Sequence, residues 1–435
     1  MTSATQTLDW IRDGQRGLGT RAPEWLAEHR AAALEAFETL GFPTTRDESY
    51  RFTNVAPIAG TVFELASPEA EGAEALATGN EIKASLATAV VVNGCYDETL
   101  SAFGALPLGV VVDGLANAFD TDGSHARDIA CDLDLEGLPF AALNAAFLED
   151  GVHLVVPEGA VLTEPIQVVV VTTPEDRPVM AHPRIVIEAG AQSQASIVLS
   201  FVGAGSQPYL LNAVTQVRMG HGAVLELVTD QREGDNAFHV HHLHAHLEAG
   251  AILHSRAATL GGRIVRNDLA AVLDGEGAHA TIDGVYLADG EQLVDTHTSI
   301  DHAVAHCTSH ELYKGILGGR GRAVFNGRIL VRPDAQKTDA KQTNRALLLS
   351  DDATINSNPQ LEIFADDVKC THGAAVGQLD DEALFYLQAR GLSPAQARDM
   401  LLHAFANEVL GEISAGELRL ALEHRLFSRI NRYLA

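Results

Sequence analysis

From residue 151 onward the chain is written in runs of five to seven residues rich in Val and Ile, with no helical period between them. A small cassette recurs at their ends: Glu158-Gly159-Ala160, Ala189-Gly190-Ala191, His221-Gly222-Ala223, Ala249-Gly250-Ala251 and Glu276-Gly277-Ala278. Its glycines lie 31, 32, 28 and 27 residues apart, and a repeat of that length without helices signals stacked β coils. Glycine supplies the positive φ of a tight corner, alanine fits where corners stack, and β-branched residues fill the interior. An antiparallel sandwich would place Asn-Gly or Asp-Gly hairpins between neighbouring strands, and these are scarce. The expectation is a mainly β protein whose core, residues 151–377, is a right-handed parallel β-helix with one coil per repeat, less regular toward its end. A cupin-like barrel is the structural rival.

The flanks read differently. Residues 23–40 predict an amphipathic helix, with Pro23 in the first turn, Leu26, Ala33, Leu34 and Phe37 on one face, and Gly41 at the stop. Residues 41–52 read as a turn leading into an extended piece, residues 67–85 as loop or frayed helix, and residues 138–148 as helix. Residues 1–150 thus form an N-terminal helical and mixed α/β region. After Gly377 the period becomes helical, giving a C-terminal helical domain over 378–435. Ser393-Pro394-Ala395-Gln396 is a capping box opening a helix with Ala397, Met400, Leu401, Ala404, Phe405 and Val409 on its apolar face. Ser414-Ala415-Gly416-Glu417 is a second box, followed by Leu418, Leu422, Leu426 and Ile430 at four-residue intervals. The last helix also carries Arg419, Arg425, Arg429 and Arg432, suited either to an acidic partner or to a solvated face complementing the helix dipole.

Charge narrows the function. The net charge is −28, and protonating all 19 histidines would leave −9, so phosphate backbones and anionic lipid are repelled and no nucleic-acid or membrane partner is expected. No run approaches a membrane span, and the N-terminus lacks the order of a signal peptide, so a soluble, cytoplasmic protein is expected. Cys95, Cys131, Cys307 and Cys370 form no C-x-x-C, which argues against a disulfide framework. None of the five lysines follows a glycine, so there is no Walker phosphate loop and ATP hydrolysis must belong to another chain.

Two clusters could carry chemistry. In the stretch from His239 to His246, strand alternation puts His242, His244 and His246 on one face and His239 and His241 on the other. A flat row spaced by about 7 Å does not converge on one ion, so solvent-facing histidines on a wall are the preferred reading over a metal site. In Asp366-Asp367-Val368-Lys369-Cys370-Thr371-His372-Gly373-Ala374, Cys370 and His372 would share a side, a thiol and an imidazole suited to thiophilic metals and iron–sulfur chemistry. Two ligands need completion by another chain, and a buried Cys beside a hydrogen-bonded His is the plainer reading. A carbohydrate-active enzyme on a β-helix wall, using Asp295, Asp301 and Glu311, is the alternative from another class.

The stretches 342–350, 355–363 and 366–374 together resemble the most characteristic region of the SufB/SufD iron–sulfur cluster assembly family. Residues 41–52 are similar to the family's N-terminal Gly-x-Pro-Thr-Arg-x-Glu-x-Trp-Lys-Tyr pattern, with Tyr50, Arg51 and Phe52 as departures. The resemblance falls on the SufD side: residues 351–359 hold no Cys, and Lys369-Cys370-Thr371-His372-Gly373 replaces a His-Glu pair. A SufB-like scaffold is the alternative within the family. The resemblance implies a scaffold subunit rather than an enzyme, abutting SufB through the ends of the two β-helices. It further implies that the C-terminal helices dock the ATPase SufC, with Met400, Leu401, Phe405, Leu418, Leu422 and Arg425 as docking residues. His372, with Cys370 beside it, is implied at the SufB interface as a ligand shared with SufB. No tightly bound cofactor is implied, only transient iron or a nascent cluster. Self-association of the isolated chain, as a homodimer, is left open.

Overall fold

The Val and Ile runs lie in strands, and their winding is set by pairing two strands along. The computed structural model describes residues 4–18, 23–69, 71–121, 125–173 and 176–434, with the side chains of 4–9 and 431–434 outside the description. From Arg184–Ala189 onward, consecutive strands fall alternately into two sheets. Thr308–Leu317, for example, lies parallel between His279–Ala288 and Asp339–Leu348. This is a parallel β-solenoid, as the repeat predicts, and not a cupin-like barrel. The coils do not loosen toward the end: each strand between residues 264 and 363 has ten residues.

The corners follow the cassette with one displacement. Gly159, Gln192, Gly222, Gly250, Gly277, His306 and Lys337 all have left-handed φ. Neighbouring corners are tied by bonds such as Gln192 N to His221 O (2.8 Å) and His306 N to Gln336 O (2.9 Å). Gly190 is not a corner. A Cβ there would lie 2.6 Å from Glu158 N, so this glycine answers a close approach between coils, and the turn falls two residues later at Gln192. Three side chains thus occupy a conformation that costs about 1–2 kcal/mol each, held there by the stacked ladder.

Both outer walls are covered. On one, Trp10, Ile11, Phe37, Tyr50 and Phe140 pack against Met180, Leu210, Phe238, Ile264 and Leu293 of the sheet. These come from the helices Ala4–Gly17, Glu24–Leu40 and Pro139–Ala146 and from a 3-10 turn, Glu48–Tyr50. The first of these helices lies outside the elements expected above, which began at residue 23. The piece expected to extend after Gly41 is instead folded back, because Asp47 accepts from both the N–H and hydroxyl of Thr44 (2.6 and 3.1 Å). Sheet pairing also starts before residue 151, since Ala87–Val92 runs parallel to Ile166–Thr172.

The other wall carries the helices Pro394–Leu410 and Gly416–Leu434. Leu402, Ala406, Val409, Leu418, Leu422, Leu426 and Ile430 bury against Val198, Val228, Val285 and Ile316. The Ser393 capping box forms as expected. The second does not: Ser414 N donates to Glu226 Oε1 (3.0 Å) and its hydroxyl to Glu226 Oε2, so the wall takes the groups the box would have used. Among the described residues no helix is long and apolar enough to cross a membrane.

Candidate functional site

The two ends of the solenoid differ. At the first, antiparallel strands close the ladders: Cys95–Tyr96 and Ala102–Phe103 on Ala87–Val92, and Val111–Gly114 on Gly151–Val156. At the last, among the described residues, Thr354–Ile363 pairs only with Arg322–Val331, and Lys369–Gly377 only with Asp339–Leu348. Lys369 N donates to Thr338 O (2.8 Å). In a parallel ladder alternate residues turn both backbone groups to the same neighbour, so Cys370, His372, Ala374 and Val376 turn theirs to the open edge. Thr354 N donates to Gly321 O (3.1 Å), which puts Pro359 in the outward-facing set of its strand. A proline fits an edge strand when the missing donor faces away from the ladder.

Cys370 and His372 are in register with Ala340 and Gln342, whose side chains are 0% and 1% exposed. Both therefore point into the mouth of the lumen, on the shared side that alternation predicts. Cys370 is half-buried beside Ile329, Val331, Ala340 and Leu361. Burial, reinforced by Asp339, pushes its thiol up, so it rests protonated. His372 is exposed at the rim. Among the described residues no three His, Cys, Asp or Glu side chains converge to hold a metal ion, so a metal at this rim needs further ligands from elsewhere.

The histidine row alternates as expected but does not face solvent. His239 and His241 point inward against the Phe201 ring, at centroid distances of 5.1 and 4.9 Å. His239 Nδ1 lies 2.5 Å from Glu233 Oε2, and His241 Nε2 is 2.9 Å from Thr215 Oγ1. His242 is buried on the outer face, where desolvation pulls it down to about 4; His244 and His246 are half-buried. His239 and His241 are taken into the lumen, while Phe238 and Val240 on the other face pack under the N-terminal region, which local alternation cannot reveal.

The acids of the carbohydrate alternative do not come together. Glu311 points into the lumen, where burial pushes it up to about 7 although Thr298 and Gln342 donate to it. Asp295 points the other way and is fully buried. Burial alone would raise it, but Arg266, His297 and Thr53 outweigh that and hold it near 2. Asp301 is tied to Arg332 at 2.7 Å. No catalytic pair forms from these three.

The docking residues expected on the C-terminal helices are only partly available. Leu418 and Leu422 are 3% and 0% exposed, spent on the solenoid wall. Phe405 is half-buried beneath Lys314, whose Nζ sits 4.3 Å from the ring centroid and donates to Phe405 O (2.9 Å). Leu401 is half-buried. Arg425 lies 3.7 Å from Asp230, and Arg429 donates to Asp235 at 2.8 Å. These arginines complement the protein's own wall rather than an acidic partner, while the Arg432 side chain is outside the description. Met400 stays open at 51% exposure, and with it Leu420 at 61%. Together with His403, Ala404 and Phe427 they line a groove of about 840 Å³ between the two helices, in which His403 stacks on Phe427 at 4.1 Å. The signal for this groove is an apolar Leu420 lying off the buried four-residue stripe.

Residues 170–405 match the family model described as the SufBD core domain of SUF system FeS cluster assembly, and residues 1–168 match that of the SufBD protein N-terminal region. The chain is 29% identical to the iron–sulfur cluster assembly protein SufD of Escherichia coli, covering 90% of this chain and 89% of that one. It is 29% identical to a SufBD family protein of Synechocystis, covering 91% and 89%. With a SufBD family protein of Mycobacterium tuberculosis the identity is 30%, covering 94% and 96%.

Proposed function

The chain belongs to the SufBD family of iron–sulfur cluster assembly proteins, and from that premise we propose that it is the SufD-type scaffold subunit, itself non-catalytic, on whose open end a SufB partner builds the nascent cluster. The single observation that carries this reading is the asymmetry of the solenoid. One end is closed by antiparallel strands, while the other leaves two ladders unpaired around a mouth holding Cys370 and His372. A homologous solenoid can continue both ladders, supplying backbone partners and the ligands this rim lacks. Iron and sulfide are cargo at that seam, with His372 a nitrogen ligand on this side. Unpaired strand edges also make the isolated chain prone to pairing with a second copy until the partner arrives.

Energy for opening and closing the seam would come from a SufC ATPase docked in the groove lined by Met400 and Leu420, through its different affinity for the two arrangements. Leu420→Asp is expected to abolish co-purification with SufC while shifting the melting midpoint by no more than about 1 °C, because exposed substitutions are nearly neutral. Leu422→Asp, which buries a charge, should unfold the helix pair. Retained SufC binding by Leu420→Asp would remove this groove as the docking face.

The reading itself is tested by His372→Ala in the reconstituted three-protein complex. Gel filtration should show an intact complex, and cluster formation followed by absorbance should fall to background. Assembly at the normal rate would reject it.

A further inference from the structure

Behind His372 the lumen is polar in a particular order. On the inner face of one sheet, Ile282, Glu311, Gln342 and His372 stand at a single register on successive strands. Ile282 closes the column with an apolar side chain. Glu311, fully buried, accepts from Thr298 Oγ1 (2.6 Å), which reaches across from the facing sheet, and from Gln342 Nε2 (2.8 Å). Gln342 is 1% exposed, and with its NH2 turned to Glu311 its Oε1 is buried with no hydrogen-bond partner. The facing sheet makes room for this amide. A Cβ on Gly327 would lie 2.0 Å from Gln342 Nε2, and Gly327 is not among the glycines with positive φ, so it is bare to admit the amide and not to make a turn.

Leaving a buried amide oxygen without a donor costs about 1–3 kcal/mol, and this one is held in place by two further residues. The next side chain toward the open end is His372, one strand spacing of about 4.8 Å away, and an imidazole N–H is the donor such an oxygen lacks. We propose that Gln342 is a positioning residue for His372: once a partner covers the mouth, Gln342 Oε1 accepts one ring N–H of His372, fixing its tautomer and leaving the lone pair of the other nitrogen for iron. Glu311 keeps the amide turned with its oxygen toward the rim, and Thr298 fixes Glu311. A histidine that ligates a metal characteristically donates its second N–H to such an acceptor. The inference rests on the reading of His372 above.

The test uses the three-protein complex with 15N-histidine only in this chain, His372→Ala serving to assign the ring signals. The wild type should show a single neutral tautomer at His372. Gln342→Met, of similar shape but without an acceptor oxygen, should give a mixture of tautomers and slow cluster formation roughly 10–100-fold, with the complex intact. Thr298→Val, isosteric and remote from the seam, is the second arm, and should mix the tautomers with a several-fold loss of rate even if Gln342→Met folds poorly. Wild-type tautomer and rate in both variants, while His372→Ala is inactive, would overturn this inference and leave the functional reading standing. Activity in His372→Ala would fell the reading itself.

Discussion

Arg266→Met is expected to destabilise the protein by about 3–5 kcal/mol, the cost of leaving buried carboxylates without their cation. Arg266 is the knot that ties the N-terminal region to the solenoid. It donates to Asp295 Oδ2 (2.6 Å), to Asp268 Oδ1 (2.6 Å) and to Ser49 O (2.9 Å), and its guanidinium lies 4.5 Å from the Tyr50 ring centroid. Thr53 Oγ1 adds a 2.5 Å bond to Asp295. The residues so held, Ser49, Tyr50 and Thr53, lie in or beside the 41–52 stretch that resembles the family's N-terminal pattern, so the resemblance there has a structural content. Melting and limited proteolysis check the outcome, with early cleavage near residues 41–63.

The pH dependence of this knot has a definite sign. Despite burial, Arg266 holds both Asp268 and Asp295 below the ordinary carboxylate range, Asp295 at about 2. A carboxyl depressed in the folded state contributes fully above its unfolded value of about 3.9 and loses that contribution as pH falls toward its folded value. For Asp295 alone this is about 2–3 kcal/mol, lost progressively between roughly pH 5 and 1. In Arg266→Met the same carboxyls are buried without a cation and favour the protonated form, so the variant's deficit should shrink from pH 7 to pH 5. A loss that is equal at both, or below about 1 kcal/mol, would show that Arg266 is not the tie.

Ala374→Pro is expected to leave this chain folded and to weaken the proposed pairing with SufB by roughly 100-fold, the equivalent of two to three lost backbone bonds at about 1 kcal/mol each. Ala374 belongs to the set whose N–H faces the open edge, and its inner neighbours Gly373 and Ala375 keep the ladder to Asp339–Leu348. Proline there removes one donor and puts a ring where the next strand must lie. Pro359 shows that the same arrangement is tolerated in the companion edge strand. Titration of the partner by calorimetry, with Gly373→Pro as the variant that should damage this chain's own fold, separates the two effects. Unchanged partner affinity for Ala374→Pro would mean that the seam is not an extension of this sheet.

The comparison of Ala374 with Gly373, like that of Leu420 with Leu422, marks the boundary between what was legible in the residues and what was not. The repeat of Gly-centred corners with Val- and Ile-rich runs determined the solenoid, because corner conformation and strand preference are local properties read one coil at a time. The Ser393 capping box formed for the same reason, and Cys370 and His372 share a side because alternation along a strand is also local. Packing between distant segments decided the rest. Glu311 and Asp295 look alike as acids in strands, yet one faces the lumen and the other an arginine under the N-terminal region. The Ser414 box yielded to Glu226, 188 residues away in sequence. Gln192, His306 and Lys337 take corners usually given to glycine because the stacked ladder imposes them. A chain specifies its periods by itself, but which face of each period meets water is fixed only when the coils, the N-terminal region and the C-terminal helices compete for the same two walls.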